Sequence, residues 1–484
     1  MDFKTISRNV GMALLVDALF MLISVMVSLI YGRDGGLYPL VISFVLTFSF
    51  GIFPYIFVRK TSRITTREGY LIVVISWLLS FIFGMLPYVL YGEPFSLADA
   101  WFESVSGFTA TGATVLPDVE SLPNSLIFWR SSTHFIGGLG VVVFLLLIIP
   151  DSSPIRMRLT NMELSSLSKD GYRSRANRTV FIFAYVYLGL MAVAFISYCL
   201  AGMSPFDAVN HAFSVCASGG FSSRNLSIAA FDSRVIEGLT MVFMFVASIH
   251  FGLVFLAFAN LSLKPFRNPV LRFYVTMLAL ITVITALSLR FSGVESSFSH
   301  AIWCSAFQTV STASTTGFAI ADNSVWPMFA NVVLMFATIT CGCAGSTSGG
   351  LKCDRILMML KAIAVRVRTT INPSVIHEVR IGRRYFRDEE VGIHVVYITL
   401  FLLILCISTA LALLTGEDTV VAFSGSLSSL TNVGPAIDRI GSLGNYGMVP
   451  TGAKLLFSLD MFLGRVEIYP VLAVLGMMFS HNRK

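Results

Sequence analysis

Long apolar runs separated by short polar segments occupy most of this 484-residue chain. A run of about 20 apolar residues is long enough for a helix to cross a membrane. Ten such runs predict ten spanning helices, at about 10–31, 37–58, 68–91, 125–149, 180–202, 233–260, 270–291, 326–345, 391–414 and 453–479. An eleventh stretch, 355–366, contains three basic residues and is too short to span. The first run is too long for the apolar part of a signal peptide, so we expect it to be a retained helix.

Composition and charge support a membrane protein. Hydrophobic residues make up 55% of the chain, charged residues 13%, and the mean hydropathy is +0.78. Of the 34 Lys and Arg residues, 26 lie in six segments: 1–9, 59–67, 151–178, 261–272, 351–390 and 481–484. The positive-inside rule predicts that all six are cytoplasmic and can face membrane lipid, with both termini inside. Because the basic residues are sorted by loop, the net charge of +7 does not indicate a nucleic-acid partner.

Four segments in the opposite loops resemble one another, and each ends in a glycine. They lie at about 97–115, 205–221, 298–318 and 418–435, and the closing glycines are Gly112, Gly220, Gly317 and Gly434. Segments this short are more often re-entrant than spanning. The third is four residues longer between its start and its glycine, which predicts one extra turn in its helix. Acidic residues in these loops would concentrate cations at the outer face.

These patterns predict an all-α polytopic membrane protein. Four helix–pore-loop–helix repeats surround a central pore, and two extra transmembrane helices precede them. The predicted boundaries are 1–66 for the two-helix appendage and 67–178, 179–268, 269–390 and 391–484 for the four repeats. Each repeat has two crossings, so consecutive repeats keep the same orientation.

The glycine loops carry what a cation filter needs. Residues without a Cβ let successive carbonyl oxygens turn to one side, and a ring of such oxygens can replace the hydration shell of a cation. The predicted filter residues are Ala110, Thr111, Gly112 and Ala113; Ser218, Gly219, Gly220 and Phe221; Thr315, Thr316, Gly317 and Phe318; and Asn432, Val433, Gly434 and Pro435. Ordinary interhelical glycine packing would explain one such segment, but four at matching places favour a filter.

The segment from Cys341 to Lys352 predicts a break in the second helix of repeat three. Each glycine within a helix costs about 1 kcal/mol, and serine and threonine fill the spaces between the glycines here. The alternative is a merely kinked helix. The candidate gate residues are Gly342, Ala344, Gly345, Ser346, Thr347, Ser348, Gly349, Gly350 and Lys352.

Arg465 lies near the middle of the last apolar run, where a lone charge is costly. We expect it to face water or a carboxylate. In a pore, its charge would form an electrostatic barrier below the filter. The alternative is a structural ion pair, with Asp460 or Glu467 if the helix bends, or with an acid on another span. The two roles are compatible.

The filters, the segment 342–350 and the segment Met461-Phe-Leu-Gly-Arg-Val-Glu-Ile468 resemble the Trk-type potassium uptake subunits of bacteria, which belong with the Ktr and HKT proteins. This resemblance implies K⁺ translocation across the bacterial inner membrane, with glycine in all four filters as the pattern linked to K⁺. The coordinating residues would be Thr111, Gly112, Gly219, Gly220, Thr316, Gly317, Val433 and Gly434. The resemblance also implies a homodimer, an intramembrane loop that obstructs the pore, and a cytosolic TrkA-like nucleotide-binding ring. The regulatory nucleotide is expected on that ring, and K⁺ is the only ligand expected on this chain.

Other classes of protein fit the sequence less well. No converging nucleophile and base, or set of metal ligands, is apparent within the apolar runs, so we expect no enzyme. A secondary transporter with inverted repeats would need units with an odd number of crossings. The sequence leaves open whether K⁺ moves passively or with H⁺ or Na⁺ in symport, and whether the chain is a Na⁺-permeable relative.

Overall fold

The computed structural model describes residues 2–58, 64–148, 176–374, 378–382 and 384–480. The helices are Phe3–Ile30, Leu37–Phe57, Thr66–Gly84, Leu86–Tyr91, Leu97–Phe108, Asn124–Ile148, Ala176–Leu200, Pro205–Ala217, Arg234–Ala247, Phe251–Ala259, Pro269–Phe291, Phe298–Ala313, Met328–Ile339, Cys353–Ile371, Asp388–Leu414, Thr419–Thr431, Thr451–Val466 and Ile468–Ser480. Two short sheets accompany them. Thr340–Cys341 pairs in parallel with Leu351–Lys352, and Val379–Ile381 pairs antiparallel with Arg384–Phe386.

Six of the described helical segments are long and apolar enough to cross a membrane. They are Phe3–Ile30, Leu37–Phe57, Arg67–Tyr91, Phe181–Leu200, Pro269–Phe291 and Asp388–Leu414. A seventh span results if the bent pair Arg234–Ala247 and Phe251–Ala259 is counted as one. The prediction of an all-α polytopic membrane protein is confirmed.

Three of the ten predicted spans are wrong as continuous helices. The run 233–260 bends by 104° between Ala247 and Phe251. The run 326–345 is helical only over Met328–Ile339, and the run 453–479 is divided at Glu467, whose φ is +65°. The stretch 355–366 lies within the longer helix Cys353–Ile371. Apolar composition indicates which residues are buried. It does not indicate where main-chain amides bond outside their own helix, and so it does not reveal where a helix is interrupted.

Four short helices end at the predicted filters and are called the pore helices here: Leu97–Phe108, Pro205–Ala217, Phe298–Ala313 and Thr419–Thr431. The third has 16 residues and the others 12 or 13, which confirms the predicted extra turn. Side-chain oxygens of Ser96, Ser204 and Asp418 cap the N-termini of the first, second and fourth. These caps satisfy free amides and start each helix at a defined residue.

Buried aromatic residues fix the pore helices among the longer ones. Phe108, at the end of the first pore helix, packs against Trp129 and Phe81 with ring centroids 6.1 and 6.3 Å apart. Large buried rings contribute much of the apolar area in such cores. The first helix packs along the second and also contacts Thr66–Gly84 and Asn124–Ile148, so the appendage lies against repeat one.

Candidate ion filter and gate

All four pore helices end in the same backbone turn. The residue two before each closing glycine is left-handed, with φ of 49° at Ala110, 57° at Ser218, 58° at Thr315 and 57° at Asn432. The closing glycines are also left-handed, with φ of 81°, 76°, 81° and 92° in chain order. The amide between them donates to a carbonyl five residues earlier, at 2.9 to 3.0 Å in every repeat. Glycine adopts such a φ without strain, and a Cβ at each closing position would also collide with a neighbouring carbonyl oxygen, so the two together explain the glycine of each filter.

A serine six residues before each closing glycine was missed by the sequence analysis, although its fixed offset is a readable signal. These serines are Ser106, Ser214, Ser311 and Ser428. The hydroxyls of Ser311 and Ser428 donate to the carbonyls of Phe318 and Pro435, at 2.6 and 2.9 Å. In repeats three and four the serine therefore holds the backbone just beyond the closing glycine.

The four filters form a closed ring. A Cβ added to Gly112 would lie 2.0 Å from the carbonyl oxygen of Gly219, and one added to Gly220 would lie 2.0 Å from that of Thr316. A Cβ on Gly317 would lie 2.3 Å from the Val433 oxygen, and one on Gly434 would lie 2.4 Å from the Thr111 oxygen. Each closing glycine thus touches a carbonyl of the next repeat, and the fourth touches the first. The structure brings all four predicted loops together.

One side chain of the fourth filter and one from outside the filters brace the seam between the fourth and first filters. The Asn432 amide donates to Thr111 Oγ1 at 3.1 Å and to the Met461 carbonyl at 2.8 Å. The Tyr446 hydroxyl donates to the Gly434 carbonyl at 2.7 Å, and its amide donates to the Thr114 carbonyl. No sequence pattern indicated a role for Tyr446, because Thr114, which it contacts next to the first filter, lies far from it in the chain.

A buried ion pair braces the seam between the first and second filters. Arg130 Nε lies 2.5 Å from a Glu103 carboxylate oxygen, and both side chains are almost fully buried. Arg130 also donates to the Ser222 carbonyl at 3.1 Å and stacks over the Phe221 ring at 3.5 Å. Glu103 accepts from the Val115 amide at 3.0 Å. Both residues therefore hold main chain that leaves the filters, and a buried pair of this kind depends on both partners.

Acidic residues at the starts of the pore helices are paired with bases. Asp99 contacts Lys454 at 2.6 Å, Asp207 contacts Arg224 at 2.8 Å, Glu295 contacts His300 at 2.8 Å, and Glu417 contacts Arg439. The hydrogen bond to Asp207 raises the pKa of the Arg224 guanidinium above its ordinary value. Because these acids are paired, they attract cations less strongly than the free carboxylates that the sequence suggested.

The candidate gate is a loop rather than a kinked helix. Residues 342–350 connect the two parallel strands, and the chain is helical again only from Cys353. Within the loop, Ser346 Oγ donates to the Cys343 carbonyl at 2.6 Å, and the Ala344 amide donates to Asp354 at 3.1 Å. The Lys352 ammonium donates to the Ser348 carbonyl. Side chains and the following helix thus satisfy the loop's backbone, as irregular chain at membrane depth requires.

The loop touches the inner ends of two filters. Thr347 Oγ1 lies 2.7 Å from Ser218 Oγ, and the Gly349 amide donates to Thr315 Oγ1 at 2.9 Å. Ser348 Oγ donates to the Ser314 carbonyl at 3.0 Å. A Cβ on Gly349 would lie 2.6 Å from the Thr431 carbonyl, which leaves no space between the loop and the fourth pore helix. The hydroxyls of Ser218 and Thr315 therefore bond to the gate loop.

The gate loop also forms hydrogen bonds to the bend in the run 233–260. The Cys343 amide donates to the Ser248 carbonyl at 2.9 Å, and the Phe251 amide donates to the Gly345 carbonyl at 2.9 Å. His250 caps the second half of the bent helix through its Nδ1, which accepts from the Gly252 amide at 2.9 Å. The bend thus exists where the helix exchanges its own hydrogen bonds for bonds to the loop.

Arg465 is buried and also reaches the loop. Its Nη1 donates to the Thr347 carbonyl at 2.7 Å and its Nη2 donates to the Gly137 carbonyl at 3.2 Å. Glu467 forms an ion pair with Arg355 at 2.8 Å, and Asp460 accepts from the Ser408 hydroxyl at 2.6 Å. Both local acids named as possible partners of Arg465 are therefore bonded to other residues, while the arginine holds the centre of the gate loop.

The basic segment after the gate ends in a two-stranded hairpin. Arg380 is exposed on its first strand, and Arg384 on the second pairs with Glu390 at 2.8 Å. Arg383 lies outside the described residues. Arg380 is thus the better position for a substitution that tests whether this segment contacts a partner, because changing it breaks no ion pair with Glu390.

Comparisons with known proteins agree with this architecture. A family model described as a cation transport protein, TrkH, matches residues 39–481. The Trk system potassium uptake protein TrkH of Vibrio parahaemolyticus is 33% identical, over 98% of this chain and 99% of that protein. Its namesakes from Halomonas elongata and Escherichia coli are 34% and 32% identical, each over 98% of both chains.

A solved structure matches the fold as well. The crystal structure of the potassium transporter TrkH from Vibrio parahaemolyticus superimposes with a TM-score of 0.88 at 31% identity. The match covers 98% of this chain and 99% of that chain. With the family model, the full-length relatives and the solved structure in agreement, this chain belongs to the TrkH family of cation transport proteins.

Proposed function

We propose that this chain is the potassium-selective pathway for K⁺ uptake across a bacterial inner membrane. The observation that carries the proposal is the closed ring in which each left-handed filter glycine touches a carbonyl of the next repeat. Such a ring of carbonyl oxygens can exchange for the hydration shell of a cation. The relatives named potassium uptake proteins supply the choice of K⁺ and support a transporter rather than an enzyme.

In this proposal the main chain of the filters binds the ion. The oxygens come from Thr111 and Gly112, Gly219 and Gly220, Thr316 and Gly317, and Val433 and Gly434. The pore helices end next to these residues, so their partly negative C-terminal ends favour a cation in the ring. K⁺ is the transported substrate and needs no resident cofactor.

The gate loop obstructs the pathway below the filter, and opening requires its contacts to break. Three hydrogen bonds hold it to Ser218, Thr315 and the Ser314 carbonyl, and Arg465 holds the Thr347 carbonyl. Each such bond contributes about 0.5–1.5 kcal/mol net. Four bonds therefore set a closing energy of a few kcal/mol, which a regulatory partner can overcome. The charge of Arg465 adds an electrostatic barrier for cations.

A cytosolic TrkA-like ring is the regulatory partner in this proposal, and two copies of the chain form a homodimer. Both termini and the 351–390 segment lie in the cytoplasm according to the charge distribution. Helix Cys353–Ile371 begins just after the gate loop and contacts the first strand of the Arg380 hairpin, so in this proposal force on the hairpin reaches the loop through the helix. The regulatory nucleotide binds the ring.

Tracer flux in liposomes tests the function. Liposomes that contain the purified chain and are loaded with K⁺ should take up external ⁸⁶Rb⁺, driven by the outward K⁺ gradient. External K⁺ should compete with this uptake strongly and external Na⁺ only weakly. A pH or Na⁺ gradient imposed without a K⁺ gradient should drive no accumulation if the pathway is passive, whereas accumulation would establish symport. Equal competition by Na⁺ would identify a Na⁺-permeable relative and overturn the selectivity assigned to the ring. Uptake no faster than in empty liposomes, also for a variant without residues 344–350, would overturn the proposal as a whole.

A further inference from the structure

A group of metal-ligating side chains lies at the start of the third pore helix, away from the filter and the gate. Glu295 precedes the helix, and His300 and Cys304 lie one turn apart on it. One ligand atom from each of the three lies within 4.8 Å of the others. A cysteine, a histidine and a carboxylate are the ligand types that bind Zn²⁺ in proteins.

The three side chains are close enough to reach one shared metal ion. Zn–N and Zn–S bonds of about 2.05 and 2.3 Å at a tetrahedral angle place nitrogen and sulfur about 3.6 Å apart. The Cys304 sulfur lies 3.8 Å from His300 Nδ1 and 3.7 Å from Nε2. The sulfur is thus almost equally far from both ring nitrogens, so the His300 ring must turn to aim one of them at a metal ion that the sulfur also binds.

The carboxylate of Glu295 lies 2.8 Å from His300 Nδ1. Two ligand atoms bound to one Zn²⁺ at about 2.05 Å are about 3.3 Å apart. A metal ion could therefore replace the proton shared by Glu295 and His300 if their two ligand atoms moved about 0.5 Å farther apart. The side chains of His300 and Glu295 are 43% and 24% exposed, which gives an ion access from solvent, while Cys304 is buried beneath them. One thiolate and one carboxylate balance the charge of a divalent cation, and water can take the fourth position.

We propose that Glu295, His300 and Cys304 form a binding site for Zn²⁺ or a similar thiophilic divalent cation. Bound metal ties the loop before the third pore helix to the helix itself, whose far end carries Thr315 to Gly317. The ordinary alternative is that Glu295 only pairs with His300 at the helix N-terminus and Cys304 is a small buried residue. That alternative predicts no role for sulfur in metal binding.

Metal titration of the full-length chain in detergent distinguishes the two. Zn²⁺ competition with a chromogenic chelator should show one site per chain in the wild type, and Co²⁺ should give a thiolate-to-metal charge-transfer band. Cys304→Ser and His300→Ala should each weaken binding at least about tenfold, with a smaller loss for Glu295→Gln. Cys406→Ser is the matched control, since it removes an exposed thiol on another helix and should change nothing.

A second measurement guards against misfolded variants. Zn²⁺ should raise the thermal midpoint of the wild type and of Cys406→Ser, but not of Cys304→Ser or His300→Ala, whose midpoints without metal serve as the folding reference. Equal Zn²⁺ affinity in all variants, or a Co²⁺ complex without the charge-transfer band, would overturn the site. Wild-type protein that binds no Zn²⁺ would do the same. None of these readouts depends on transport.

Discussion

Two glycines with the same φ allow the effect of the filter's geometry to be distinguished from the effect of backbone strain. Gly220 and Gly293 both have a φ of +76°. A Cβ at Gly220 would lie 2.0 Å from the Thr316 carbonyl oxygen, whereas a Cβ at Gly293 would meet nothing within 4 Å. Replacing either with alanine incurs the same left-handed penalty of about 1–2 kcal/mol. Only Gly220→Ala also displaces an oxygen of the ring.

The displacement follows from the distance. Ordinary van der Waals contact begins at 3.4 Å, so the Thr316 oxygen must move by about 1.4 Å to accept the new methyl group. An oxygen displaced that far no longer matches the other three around one ion. We expect the preference for K⁺ over Na⁺ to fall at least tenfold, which corresponds to about 1.4 kcal/mol. Gly293→Ala should keep the wild-type preference.

The assay is ⁸⁶Rb⁺ flux into proteoliposomes, with K⁺ and Na⁺ as competitors, on variants whose thermal midpoints have been measured first. Loss of selectivity in Gly220→Ala alone, with both variants folded, would support the ring. Unchanged selectivity in Gly220→Ala would refute the reasoning, because the Thr316 carbonyl would then not belong to the filter. The same loss of selectivity in Gly293→Ala would refute it too, because strain alone would explain the effect.

Four further predictions concern the gate, the braces and the partner. Arg465→Ala should conduct K⁺ faster at near-normal yield, since it removes a buried charge and the bond to the Thr347 carbonyl; normal flux with a large loss of thermal stability would defeat the barrier role. Deleting residues 344–350 should raise flux and reduce regulation, and a folded deletion variant no faster than wild type would show that the loop does not obstruct the pore. Arg130→Met should lower the free energy of unfolding by about 3–5 kcal/mol, because it leaves Glu103 buried without its base. Denaturant unfolding should show partial recovery when Glu103→Gln is added, and no recovery would mean that the lost packing on Phe221 dominates. Arg380→Glu should weaken co-purification with the nucleotide-binding ring without changing thermal stability, since Arg380 is exposed; intact co-purification would remove the hairpin as a docking site.

Features that depend on a few neighbouring residues could be read from the sequence. The four glycine loops, the extra turn of the third pore helix and the break at Gly342 to Gly350 all follow from glycine content and spacing. Each is a local property, because a left-handed φ or a loss of helix propensity acts on the residue that carries it. The fixed offset of the serines was equally local, and it could have been read in the same way.

Contacts between distant parts of the chain join these local features. The closed ring, the bonds from Arg465 to Thr347 and Gly137, and the Glu103–Arg130 pair connect residues between 27 and 328 positions apart. The bend at Ser248 to His250 lies in a run that the sequence predicts to be one continuous apolar helix. The bend forms because the Ser248 carbonyl and the Phe251 amide bond to a loop nearly 100 residues later. The similarity of the four loops was enough to predict that they share one ring around a pore. Which glycine meets which carbonyl depends on packing, since the contacts that close the ring are main-chain contacts and leave no pattern of side chains to read.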